Sequence, residues 1–278
     1  MLLDSRIGFA IYRLLPNNWS WALLSDAERA RVLAANVTDN TTRPDYADPL
    51  QYQGGLNFDS NADRLATARG RLVSDFLDRV QPARVLEVGP GAGFYTRLIV
   101  THSAVREYTA VDLNAAFLDF LRPRLARTSV TSRLIHGTMV DATMSVDAAV
   151  LISSVHHIPD RVRLFQQIRR CLAPGGSVLA IDPPHYLLQM RKIWRKCRIP
   201  GNLAARVRTQ NVGTHNMCTL AEYKAIARKT GLRIHSATFF DHPRKIQRLA
   251  ARGVPLGPLW RWTSQDTAIE LHLPVPRL

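Results

Sequence analysis

The stretch VLEVGPGAGFYT, residues 85–96, decides how the rest of the chain is read. Its first half lies in ARVLEVG (83–89), a short apolar, β-branched run of the kind that forms a strand buried on both faces. Glycines then fall at alternate positions, Gly89-Pro90-Gly91-Ala92-Gly93, before a helical segment, FYTRLIVTH (94–102). Glycine lets the backbone turn through positive φ and lets another molecule approach without meeting a Cβ. A helix start adds unpaired N–H groups and a positive dipole end. In open α/β sheets, ligands sit outside the carboxyl ends of the strands, where this loop would fall.

Strands and helices alternate outward from it. EYTAVDL (107–113), RLIHG (133–137), VDAAVLISS (146–154) and SVLAIDPP (177–184) read as strands. AAFLDFLRPRL (115–125) and RVRLFQQIRRCL (161–172) read as helices, the latter followed by a turn at Pro174-Gly175-Gly176. A further helix at 219–231 and two final strands, LRIHSATFFD (232–241) and DTAIELHLP (266–274), complete the pattern. The expectation is an α/β fold with a doubly wound, mostly parallel, seven-stranded sheet. Residues 1–61 form an N-terminal extension: helical spacing at Ile7, Ile11, Leu14 and Leu15, a Pro-Asn-Asn break, a second helix opened by Ser25-Asp26, and a loop over 37–61. A helix is expected over 62–80. The divisions are 1–61, a core at 62–185, an insertion at 186–218, and a closing helix and strands at 219–278.

Two features separate the glycine loop from a dinucleotide site. The pattern is GxGxG, with Phe94 where a third glycine of GxGxxG would stand. Glu87, two residues before the first glycine, would repel a pyrophosphate but tolerate a cation such as a sulfonium or an amino group. Asp112 ends the second strand 19 residues after Gly93, where a carboxylate can accept hydrogen bonds from ribose hydroxyls.

With these motifs in place, the chain resembles the class I S-adenosylmethionine-dependent methyltransferases over roughly residues 62–184 and the terminal strands. The resemblance implies a Rossmann-like methyltransferase fold and S-adenosylmethionine as cofactor. It implies that Glu87, Gly89, Gly91 and Gly93 cradle the amino acid part, that Asp112 holds the ribose, and that Leu113 packs on adenine. The family's Gly-Asp-Ala after the third strand is Gly137-Thr138-Met139 here, so Thr138 replaces the acid and Asp141 is a substitute. VDAAVLISSVHHIPD, with Ser153, matches the fourth strand and the His-His-x-x-D that follows it; LAPGGSVLAIDPP matches the approach to the fifth.

Methyl transfer from a sulfonium is an in-line displacement, so the protein mainly positions the acceptor and sometimes takes its proton. His156, His157 and His185 stand at strand ends as candidate bases, with a structural role as the alternative. Tyr46, Tyr52 and Phe58 are candidates for a lid, their faces suited to a sulfonium. Tyr186 and Arg191 lie on YLLQMRKIWRKCRIP (186–200), which reads as a basic amphipathic helix that caps the substrate, rests on an anionic membrane or simply packs. With Tyr52, they are the expected substrate contacts.

The net charge of +15 is asymmetric: residues 1–160 hold 16 Lys/Arg and 17 Asp/Glu, whereas residues 161–278 hold 21 and 5. This favours an anionic partner: a small or amphipathic metabolite first, then a lipid at a membrane surface, with nucleic acid third because no RNA-binding module is present. A cofactor-binding protein without catalysis is the remaining alternative. Cys171, Cys197 and Cys218 form no zinc set, so no metal is expected. The lack of a signal-peptide pattern and of a long apolar run makes cytoplasmic location the expectation.

Overall fold

The computed structural model describes residues 3, 6–42, 44–139, 144–184 and 218–275. Seven strands form one sheet: β1 (Arg84–Val88), β2 (Glu107–Asp112), β3 (Thr131–His136), β4 (Val146–Ile152), β5 (Leu172–Asp182), β6 (Arg233–Phe240) and β7 (Asp266–His272), in the order β3-β2-β1-β4-β5-β7-β6. β1 to β5 run parallel, and β7 lies antiparallel between β5 and β6. Alternate residues of the central strands enter opposite cores, as the two-residue period of a strand requires. Leu86, Ala149 and Leu151 pack with Phe165, Ile168, Tyr223 and Ile226 on one face. Val85, Ala148 and Val150 pack with Phe76, Leu77, Ile99 and Leu121 on the other. The order reverses between β1 and β4, which opens a crevice at their carboxyl ends.

The helices are α1 (Arg6–Leu14), α2 (Asn17–Ala22), α3 (Asp26–Thr42), α4 (Pro44–Ala47), α5 (Ala68–Val80), α6 (Thr96–Thr101), α7 (Ala115–Leu125), α8 (Arg161–Cys171), α9 (Leu220–Thr230), α10 (Arg244–Ala251) and α11 (Pro258–Thr263). Several of these differ from the sequence reading. α3 continues to Thr42, so part of 37–61 is helix; Thr38, Thr41 and Thr42 donate their hydroxyls to carbonyls four residues back, which satisfies these side chains within the helix. The helix expected from residue 62 begins at Ala68. Arg64 fixes the preceding backbone outside the helix by donating to the carbonyls of Phe94, Asn57, Phe58 and Ser60, and Thr67 then caps through Gly70 N–H. The connection between the last two expected strands, on which the sequence reading placed no element, holds two short helices, α10 and α11.

α8 and α9 are joined by a buried ion pair. Arg161 Nη1 lies 3.2 Å from Glu222 Oε1, both side chains 2% exposed. Glu222 also closes a capping box with Thr219 at the start of α9. Glu222→Ala is expected to cost roughly 3–5 kcal/mol in urea denaturation, because it strands a buried guanidinium. The double replacement Arg161→Met/Glu222→Leu is expected to recover most of that loss.

Candidate functional site

At the crevice, Gly89 (φ 74°) and Gly91 (φ 54°) adopt left-handed backbone. A Cβ on Gly91 would lie 3.0 Å from the Tyr52 ring, and one on Gly89 would lie 2.8 Å from Ser154 Cβ. Both glycines line a cleft of about 390 Å³, within the range of about 300–1,000 Å³ usual for small-molecule sites. Gly93 does not line it. The helix after the loop, α6, has only six residues, so its dipole adds less than the sequence reading supposed.

Two carboxylates flank the loop in different ways. Asp112 lines the cleft; its Oδ2 accepts from Gly91 N–H at 3.2 Å and its Oδ1 from Asn114 N–H at 2.9 Å. Burial raises its pKa to about 6 against the pull of these N–H groups. Glu87 is buried behind the loop and does not line the cleft. Its Oε2 accepts from Tyr108 Oη at 2.6 Å and Thr96 Oγ1 at 2.8 Å, and burial pushes its pKa up to about 7.

The exit of β4 supplies the opposite wall. Ser153 lines the cleft with φ 54°, an uncommon conformation for a residue with a side chain. Its N–H donates to Ile181 O at 2.7 Å, and its Oγ accepts from Arg69 Nη1 at 2.8 Å. Arg69 in turn grips Asp266 with Nε and Nη2. Val155–His157 form one 3-10 turn. Asp182, at the end of β5, accepts from the N–H groups of Val155 and His156 and lies 2.5 Å from His156 Nδ1. Burial raises Asp182 to about 6. His156 is thus drawn away from the cleft, whereas His157 lines it.

The N-terminal segment closes the remaining side with Leu33, Asn36, Val37 and Asn40 of α3. Tyr46, Tyr52 and Phe117 make an aromatic cluster with ring centroids 4.8–6.0 Å apart. Asn114 Nδ2 donates to Asn40 O and Tyr46 O, which ties this segment to the end of β2. Phe58 belongs to the core beside α5, and its N–H donates to Ala92 O at 2.8 Å. Leu113, Thr138 and Met139 line the cleft. His185, Tyr186, Arg191 and Asp141 lie outside the described residues.

A family model described as a methyltransferase domain matches residues 86–180, the stretch from β1 through β5. That match spans about a third of the chain and takes in the glycine loop, Asp112 and the β4 exit. The chain is 29% identical over 171 residues to a trans-aconitate 2-methyltransferase of Rhodopseudomonas palustris, covering 61% of each chain. It is 28% identical over 210 residues to the 27-O-demethylrifamycin SV methyltransferase of Amycolatopsis mediterranei, covering 69% of this chain and 72% of that one. The first curated relatives that it matches are spanned over only 5–61% of their length. Among solved structures, an S-adenosylmethionine-dependent methyltransferase from Mesorhizobium loti shares the fold, with TM-score 0.54 at 16% identity, over 76% of this chain and 100% of that one. The family implies S-adenosylmethionine as the cofactor of the domain.

Sequence reading missed Arg69, Asn114, Tyr108 and the orienting role of Asp182. Tyr108 was legible in principle: with the strand period of two, it faces the same side of β2 as Ala110, toward the core that holds Val85 and Ile99. A raised carboxyl pKa means that the associated stability is present below the unfolded value and lost as pH rises through the folded one. Glu87→Gln is therefore expected to flatten the pH profile of thermal stability. The advantage of wild type over the variant should shrink by roughly 3 kcal/mol from about pH 4.5 to about pH 7.

Proposed function

We propose that the chain transfers a methyl group from S-adenosylmethionine to a small or amphipathic, anionic acceptor. The observation that carries this reading is the side-chain-free loop at Gly89 and Gly91, hydrogen-bonded through Gly91 to a cleft-facing Asp112. The residues fit the cofactor. A carboxylate has about four acceptor positions. The N–H groups of Gly91, Asn114 and Leu113 take up to three of them, which leaves the carboxylate room to accept from a ribose hydroxyl. Leu113 and Met139 offer apolar walls for a base, and Tyr52 sets an aromatic edge beside Gly91, suited to a positive sulfonium.

When bound, the cofactor supplies a methyl group on an excellent leaving group. The protein's part is to hold the acceptor in line and exclude water. Under this reading α3, Tyr46 and Tyr52 form the lid. Asp182 holds the turn that presents His157 to the cleft, and His157 accepts a proton where the acceptor must lose one. Arg163, at the cleft rim, offers a cation to an acidic acceptor. The trans-aconitate methyltransferase it resembles is named for an acidic metabolite, which supports the anionic choice. His185, Tyr186 and Arg191 are proposed to approach the acceptor from the chain beyond β5.

Calorimetric titration with S-adenosylmethionine and its demethylated product is expected to show binding to both. Asp112→Ala should weaken it by roughly 10- to 100-fold, the value of a hydrogen bond to a charged group. Affinity should also fall as pH drops through about 6, where Asp112 gains its proton. Absence of binding to wild type at neutral pH would overturn the reading. A metabolite-extract screen with isotope-labelled methyl donor identifies the acceptor. With that acceptor, His157→Asn should lower kcat by roughly 100-fold or more while cofactor affinity changes little.

A further inference from the structure

The β6–β7 connection carries a surface that the cleft does not use. Between Asp241 and Asp266 the sequence has five basic residues, Arg244, Lys245, Arg248, Arg252 and Arg261, and no acidic one. From Arg244 to Trp262 no side chain is buried. Leu249, Val254, Leu259 and Trp262 are 37–46% exposed. Arg244, Lys245, Arg248 and Arg252 are exposed and join no ion pair among the described residues.

The insert is nevertheless rooted. The Trp260 and His242 rings stack with centroids 3.5 Å apart, and Gln247 Nε2 donates to His242 O at 2.6 Å. At its base, Asp266 is held by Nε and Nη2 of Arg69. Because Thr267 pairs with Asp182, the root lies at the carboxyl end of β5, the edge of the sheet that carries the cleft.

Exposed aliphatic and indole side chains interleaved with cations, without acids, match the boundary of an anionic bilayer: ammonium and guanidinium groups at the phosphates, apolar groups below them. Nucleic acid would use the cations but has no use for exposed Leu and Val. An ordinary solvated face would intersperse both signs of charge. We propose that residues 244–262 dock the protein on an anionic phospholipid surface, with the cleft edge turned toward it. This is independent of methyl transfer and is measured without cofactor.

The test is co-sedimentation of the full chain with phosphatidylcholine vesicles, with and without phosphatidylglycerol. Wild type is expected to sediment with the mixed vesicles only. Each basic residue removed among Arg244, Lys245 and Arg248 should weaken partitioning about five-fold, the equivalent of about 1 kcal/mol. The triple variant Leu249→Ser/Leu259→Ser/Trp262→Ser should lose the fraction that survives high salt. Unchanged thermal unfolding shows that the variants are folded. Failure of wild type to bind mixed vesicles, equal binding to both vesicles, or binding untouched by both variant sets overturns the proposal. So does loss of tRNA binding by the same basic variants without any vesicle binding.

Discussion

The hydrogen bond from Gly91 N–H to the carboxylate of Asp112 depends on the parallel register that sets Val88 beside Val111, and the cleft is built around it. Two further carboxylates gather at the same edge, Glu87 in β1 and Asp182 at the end of β5. All three are answered by uncharged N–H and O–H donors or by a histidine ring, with no Lys or Arg in direct contact among the described residues. The nearby guanidinium groups are committed elsewhere, Arg69 to Asp266 and Arg161 to Glu222. Neutral donors stabilise a carboxylate without cancelling its field. Asp112, the carboxylate of the three that lines the cleft, therefore offers its charge to a ligand without a Lys or Arg in direct contact among the described residues.

That arrangement also explains what was legible in the sequence. β1, β2 and β4 are fully local signals, short apolar runs that end in glycine, acid or serine, and they were read within two residues of their observed bounds. Gly89, Gly91, Asp112, Leu113, Thr138, Met139 and Ser153, singled out at the ends of these runs, all line the cleft, whereas the order of the strands is a tertiary fact. The orientation of Glu87 was not readable, because it depends on Tyr108 from a neighbouring strand and Thr96 from the next helix. The two adjacent histidines look equivalent in sequence. Asp182, 26 residues from His156, holds that ring away from the cleft that His157 lines. Arg69 was invisible for the same reason, its carboxylate partner being 197 residues distant, and Arg64 because three of its four carbonyls belong to irregular backbone at 57–60 and the fourth to Phe94, 30 residues on.

The charge asymmetry takes on a more specific meaning in three dimensions. Arg161 is buried in an ion pair and is not available to a partner. The exposed cations among the described residues of the basic half, 161–278, lie on α8 (Arg163, Arg169, Arg170), on α9 (Lys224, Arg228, Lys229), at Arg233 and on the β6–β7 insert, and in the stretch 242–265 they stand without any acid. A uniform codon bias toward arginine would not leave 242–265 without an acid while placing four large apolar side chains in solvent there.

Arg69 joins the two regions. One guanidinium holds Ser153, which lines the cleft in a conformation that needs support, and Asp266, which roots the insert. Left-handed backbone at a residue with a side chain is costly and persists where neighbouring contacts over-determine it. Here those contacts are the Ser153 N–H bond to β5 and the Arg69 bridge to β7. The insert and the cleft wall are thus fixed to the same three strands by a single cation. Whatever surface orients the insert also orients the mouth of the cleft, without any hinge between them having to close.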